Sequence, residues 1–218
     1  HLLKGVASAR LFDETLKMFH GGSAAQVFEL LRHYDMFQYL FPETNRRLDS
    51  EEGEMMIPLI SQALNNTDDR INVNKPVTPA FLIAVMLWSE VSDNYEKLKA
   101  ADVPAFPAMQ QAGQKAVSNL LKSLSVPKRF TLVAKEIWVM QLRLMNRSVK
   151  KPLQLLTQTR FRAAYDFFCL RSQSGEEHLQ EACSWWTRIQ EVDADDRQAM
   201  LLPGKKRGRR RPRKRKRG

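Results

Sequence analysis

Apolar residues recur along this 218-residue chain at helical spacing, and nowhere do four or more positions alternate cleanly between apolar and polar. That pattern predicts an all-α fold, a multi-helix bundle. Ser8 is placed to cap a helix with Leu11, Phe12, Leu16 and Phe19 on one side, and Gly21-Gly22 stops it. Ser23-Ala24-Ala25-Gln26 has the spacing of a capping box, with Val27, Phe28, Leu30 and Leu31 as the buried stripe behind it. Asp35 to Phe41 reads as a short apolar turn ended by Pro42, and the two helices and this plug form a helical hairpin. Arg46 to Gly53 reads as a loop, Met55 to Leu64 as a helix with Pro58 in its first turn or at a kink, and Asn65 to Lys75 as turn-rich.

Thr78-Pro79 is a strong helix start, and Phe81 to Trp88, apolar on every side, should be the most buried helix. A charged amphipathic segment follows over Ser92 to Ala101. The next helix carries Met109, Ala112, Ala116, Val117, Leu120, Leu121 and Leu124. Pro127 opens another, with Leu132, Val133, Ile137, Met140, Leu144 and Met145 as core positions and Lys128, Arg129, Lys135 and Arg143 on its outer face. Pro152 starts a short helix, Thr159 can cap Arg160 to Arg171, and a last helix runs from about Gly175 to Glu191.

Charge changes this picture, because it is segregated. The formal excess of +11 equals the 11 cations between Pro203 and Gly218, a stretch without an acidic residue that is too polar to bury and is expected to be disordered. The remaining chain is neutral overall, yet Lys122 to Arg171 holds eleven basic residues against Glu136 and Asp166 alone. Residues 1–121 and 172–202 are net acidic. A folded cationic face beside a cationic tail points to a polyanion, with each neutralised phosphate of a single strand adding about 0.7 to the salt slope.

Candidate chemistry is sparse. Gly22-Ser23 followed by Asp35 lacks the second carboxylate of a nucleotidyltransferase metal pair, and capping accounts for it better. Asp193-Ala194-Asp195-Asp196 reads as a solvated acidic loop. His1, His20, His33 and His178 have no metal-ligand spacing, and the chain contains neither a GxSxG elbow nor a GxxxxGK[ST] loop. Cys169 and Cys183 are too far apart for CxxC and do not suggest a disulfide scaffold, which fits a reducing cytoplasm. The longest apolar run, Ala80 to Trp88, is well short of the roughly 20 residues of a membrane span. No signal peptide is visible, and His1-Leu2-Leu3 reads as the middle of an element in a longer protein.

Several stretches resemble bacterial poly(A) polymerases, in the group that includes the tRNA CCA-adding enzymes. They are Ala9-Arg10-Leu11-Phe12-Asp13-Glu14-Thr15-Leu16-Lys17, Leu40-Phe41-Pro42, Asn66 to Ile71, Pro79 to Leu82, Ser125 to Phe130, Lys135 to Arg143, Phe161-Arg162-Ala163-Ala164-Tyr165-Asp166 and Trp185-Trp186. The resemblance spans practically the whole chain, in order, and the long basic end favours the poly(A) polymerase branch. It implies residues 1–45 as the end of a helical neck and the start of a body, 46–202 as an arginine-rich helical region, and 203–218 as the basic tail. It further implies that the catalytic head, with its aspartates, Mg2+ and ATP, lies upstream of His1, so that this chain holds no catalytic residue and should be inactive alone.

The implied role is the RNA-holding half of an enzyme that adds AMP from ATP to RNA 3′ ends, in the bacterial cytoplasm. A polymerase without a template must hold a single strand of arbitrary sequence, which favours backbone cations and stacking over base reading. The candidate RNA contacts are Lys128, Arg129, Arg143, Arg147, Lys150, Lys151, Arg160 and Arg162, with Lys205, Lys206, Arg207, Arg209, Arg210 and Arg211 in the tail. Trp138 and Phe161 are weaker candidates for stacking. The alternatives are an interaction module that docks a helicase or another RNA-decay protein, or the same region of a CCA-adding enzyme.

Overall fold

A computed structural model describes residues 8–51, 53–146, 152–193, 196–197 and 200–201, and the described residues form helices without strands. The N-terminal half begins with α1 (Ser8–Phe19) and α2 (Ala24–His33). Two short helices, α3 (Phe37–Leu40) and α4 (Pro42–Leu48), precede the long α5 (Gly53–Asn72). α6 (Pro79–Met86), α7 (Trp88–Ala100) and α8 (Ala105–Leu120) lead to the 18-residue α9 (Lys128–Met145). α10 (Pro152–Leu156), α11 (Phe161–Gln173) and α12 (Gln180–Glu191) complete the bundle, the last preceded by a 3₁₀ turn at Glu177–Leu179.

α9 is the organising helix, packed against α6, α8, α11 and α12. Trp138, fully buried, donates its indole N–H to the Ala84 carbonyl of α6 at 3.0 Å. Trp186 of α12 does the same to Leu144 at 2.8 Å. A buried indole needs such a partner, so these two bonds fix the register of three helices. α8 crosses closely at Gly113, where a Cβ would lie 2.8 Å from Cε3 of the Trp138 ring. α6 is buried on nearly every side, as its uninterrupted apolar sequence predicts, and Thr78 caps it by accepting from the Ala80 N–H.

Several elements differ from the sequence reading. α5 runs straight through Asn65 to Asn72, and Pro58 lies inside it. The polar residues there find partners inside and outside the helix: Thr67 bonds back to the Ala63 carbonyl of α5 itself, and Asp68 accepts from the α2 amides of Ala24 and Ala25 at 2.6 and 3.0 Å. Ser23 makes no capping bond of its own, so the α2 cap comes from a carboxylate 44 residues away. The Arg46–Gly53 loop is shorter than expected, because α4 continues to Leu48. Thr159 does not cap α11; Arg160 stands in that position. Leu30, Leu121, Leu132 and Met145 sit on apolar stripes, yet each is roughly half exposed because no helix among the described residues covers them.

Cys169 and Cys183 form a disulfide across α11 and α12, with Cα atoms 5.3 Å apart. This corrects the expectation drawn from their spacing, and with it the fit to a reducing setting, because the turn between the helices brings together two residues that no CxxC spacing links. Arg171, one of the eleven cations of the basic stretch, is only 5 % exposed. It donates to Glu176 through Nε at 2.7 Å and to Gln141 through an η nitrogen at 3.0 Å, and its guanidinium lies 4.1 Å from the Trp88 ring centre. Burial alone would raise the Glu176 pKa, but the hydrogen bond and charge of Arg171 outweigh it and hold the carboxyl below its usual range.

Candidate nucleic-acid interface

The outer face of α9 carries a stripe built by helical geometry. Lys128, Leu132, Lys135, Val139 and Arg143 follow one another at intervals of four, three, four and four residues, which keeps them on one side of the helix. At 1.5 Å per residue the stripe is about 22 Å long. Beside it lies a cleft of about 740 Å³, walled by α8 at Gln110 and Gln114 and by the connection from Thr157 to Arg160. Exposed Phe106 of α8 sits at the end of the stripe, 5.7 Å from the Arg143 guanidinium.

The cations differ in what they already hold. Among the described residues, Lys128, Arg129, Lys135 and Arg143 have no carboxylate partner. Lys135 donates to Gln114, Arg143 to Gln158 at 3.2 Å, and Arg129 lies over the Phe130 ring at 4.7 Å. Partial burial, and then the neighbouring charge of Lys128, push the Lys135 pKa down. That mutual repulsion is relieved by a bound anion. Arg160 is instead paired with Glu136 at 2.9 Å, and Arg162 with Asp166 at 3.0 Å, both on exposed surface.

Of the candidate contacts named from the sequence, the structure brings Lys128 and Arg143 onto one stripe, sets Arg129 at its edge, and places Arg160 on the cleft wall. Arg162 lies farther round, on α11. Arg147, Lys150, Lys151 and the tail residues Lys205, Lys206, Arg207, Arg209, Arg210 and Arg211 lie outside the described residues. Trp138 and Phe161 are corrected: at 0 % and 5 % exposure they are core side chains with no face for a base. Lys135 belongs to the site and was absent from the candidate contacts, although its seven-residue spacing from Lys128 marked it. Phe106, Gln110 and Gln114 were missed for a different reason, since only the crossing of α8 over α9 brings them there.

Among the described residues no three His, Cys, Asp or Glu side chains stand together to hold a metal ion. No helix among them is long and apolar enough to cross a membrane.

Comparison with known proteins identifies the family. Residues 101–218 match the family described as polymerase A arginine-rich C-terminus, and residues 1–48 match the one described as probable RNA and SrmB-binding site of polymerase A. Poly(A) polymerase I of Salmonella typhi is 34% identical over 98% of this chain and 48% of that protein. The Escherichia coli O157:H7 protein of the same name is 35% identical over the same shares, and that of Haemophilus influenzae 31% identical over 92% of this chain and 44% of its own length. The chain thus spans about half the length of the relatives it matches. An arginine-rich helical region and the segment before it, matched in order, establish that the chain belongs to the polymerase A family, the bacterial poly(A) polymerases.

Proposed function

We propose that this chain is the RNA-holding part of a polynucleotide adenylyltransferase, which grips a single strand while AMP from ATP is added to its 3′ end. The observation that carries the reading is the α9 stripe: three cations, with Arg129 as a fourth at its edge, all without carboxylate partners among the described residues, interleaved with exposed Leu132 and flanked by exposed Phe106. Unpaired cations can neutralise phosphates without first breaking an ion pair, and exposed apolar side chains suit unstacked bases. The tail cations add length to the same electrostatic grip. Adenylyl transfer, with its ATP and Mg2+, is assigned to parts of the enzyme other than the described residues. The names of the relatives favour adenylate addition over CCA addition.

The test is binding of a labelled single-stranded oligoribonucleotide to the whole chain across a salt series. Exchange of Lys128, Lys135 and Arg143 for Glu should abolish most of the affinity and flatten the salt dependence, and unchanged binding would refute the reading. AMP incorporation from ATP by the chain alone would refute the assignment of chemistry to other parts of the enzyme.

A second reading rests on α2. Leu30 and Tyr34 are 56% and 66% exposed one turn apart, with Met36 beside them, in the region whose family description names RNA and SrmB. This outer face is a docking surface for a protein of the RNA-helicase class. Leu30→Glu should remove capture of that protein while leaving RNA affinity unchanged.

A further inference from the structure

A second cleft, of about 650 Å³, opens on the other side of the α9–α11 junction, between α5, α6 and α11. Its size is in the range of small-ligand sites. Thr159 and Arg160 line both this cleft and the one beside the α9 stripe, so the two are neighbours across a single ridge. Arg160 uses Nε for Glu136, which leaves its η donors for a group lying over the ridge.

The linings differ in kind. The stripe side presents Lys135 and Arg143, and its one carboxylate, Glu136, is paired with Arg160. The second cleft has an apolar floor that includes Phe81 and Val133, and a rim carrying Asn66, Asp69 and Gln173, while its other charges are engaged, Arg70 with the Pro76 carbonyl and Asp166 with Arg162 through Nε. Asp69 is exposed and has no hydrogen bond or ion pair among the described residues. Asn66 accepts from Gln62 through Oδ1 at 3.0 Å, which leaves its amide N–H groups as donors one turn from that carboxylate. Arg162, across the cleft, lies over the Tyr165 ring at 5.5 Å and offers a guanidinium plane. A free carboxylate repels phosphate, yet it accepts from the N–H and amino hydrogens that line base edges. Amides and guanidinium planes likewise suit bases.

We propose that this cleft is a subsite for an unpaired nucleobase of the RNA strand whose phosphates lie on the α9 stripe. The inference rests on the RNA-binding reading and adds a division of labour: phosphates on one side of the Arg160 ridge, base edges on the other. It assigns Asp69 and Asn66 to hydrogen bonds with the base, Arg162 to stacking, and Arg160 to the phosphate that crosses between.

The sign of one measurement decides it. Asp69→Ala removes a negative charge next to a polyanion, so if the cleft were plain surface the variant would bind RNA more tightly. If Asp69 holds a base edge, RNA binding weakens by about fivefold or more, the scale of a good bidentate base contact. Inorganic polyphosphate, which has the charge and no bases, serves as the second probe. The expected result is weaker RNA binding by Asp69→Ala and by Asn66→Ala, with polyphosphate affinity unchanged or raised and the salt slope for RNA intact. Unchanged or tighter RNA binding by both variants overturns the base subsite while leaving the stripe reading in place. Failure of the unmodified chain to bind RNA at all overturns both. Both positions are exposed on α5, and circular dichroism checks that the helix is retained.

Discussion

The outer face of α9 and the inner end of α11 are drawn from the same basic stretch, and they use arginine in opposite ways. Arg143 is held by an amide and an aromatic ring face, and keeps its charge available to solvent. Arg171 is enclosed by Glu176, Gln141 and Trp88, and its charge is consumed inside the molecule. A desolvated guanidinium must have a partner, whereas an exposed one need not. The difference teaches that counting cations along a sequence overestimates the number that can meet a ligand. Arg160 and Arg162 fall between the two cases, exposed but paired.

The largest expected effect comes from breaking the buried side of this comparison. Arg171→Met should destabilise the fold by about 3 kcal/mol, because the partly buried Glu176 carboxylate loses its counter-charge. Urea unfolding checks this, and a loss no greater than that of Arg143→Ala would erase the distinction between the two arginines. Gly113→Ala comes next, at about 1 to 3 kcal/mol, since the new methyl meets the fixed Trp138 ring behind the stripe. Asp68→Ala should cost about 1 to 2 kcal/mol through loss of the α2 cap, again read from the urea midpoint.

The pH dependence has a definite sign. The Glu176 carboxyl titrates below its unfolded value, so its contribution to stability is complete above the ordinary glutamate range and is lost as pH falls through the depressed folded value. Glu176→Gln should therefore flatten the acid limb of a stability–pH curve. The smallest effect on stability belongs to the stripe: Arg143→Ala should change it by less than about 0.5 kcal/mol. The same substitution should lower the salt slope of RNA binding by about 0.7. A stability loss comparable to that of Arg171→Met would show that the stripe is structural.

Much of the fold was legible in advance. Thr78-Pro79 marked α6, Pro127 and Pro152 marked the starts of α9 and α10, and the uninterrupted apolar run of α6 announced its burial. These are local signals, fixed by backbone geometry within one turn. The extension of α5 to Asn72 was not legible. Thr, Asn and Asp compete with the helix for backbone bonds in isolation, and only the distant amides of α2 make Asp68 worth keeping helical. The exposure of Leu132 and the burial of Arg171 were hidden for the same reason. A periodic pattern says which residues share a face, and not whether another helix covers that face.

By itself, then, the chain's sequence determined that it is helical, that its charge is segregated, and that its motifs resemble those of the poly(A) polymerases. Helical period and charge are properties of the residues and their neighbours, and need no tertiary partner to be read. Tertiary structure decided which cations stay free: the crossing of α8 over α9 at Gly113 builds the wall beside Lys135 and Arg143, and the α11 turn that seats Glu176 takes Arg171 out of reach. Those choices depend on pairs of residues far apart in the chain, whose meeting is set by how the helices pack.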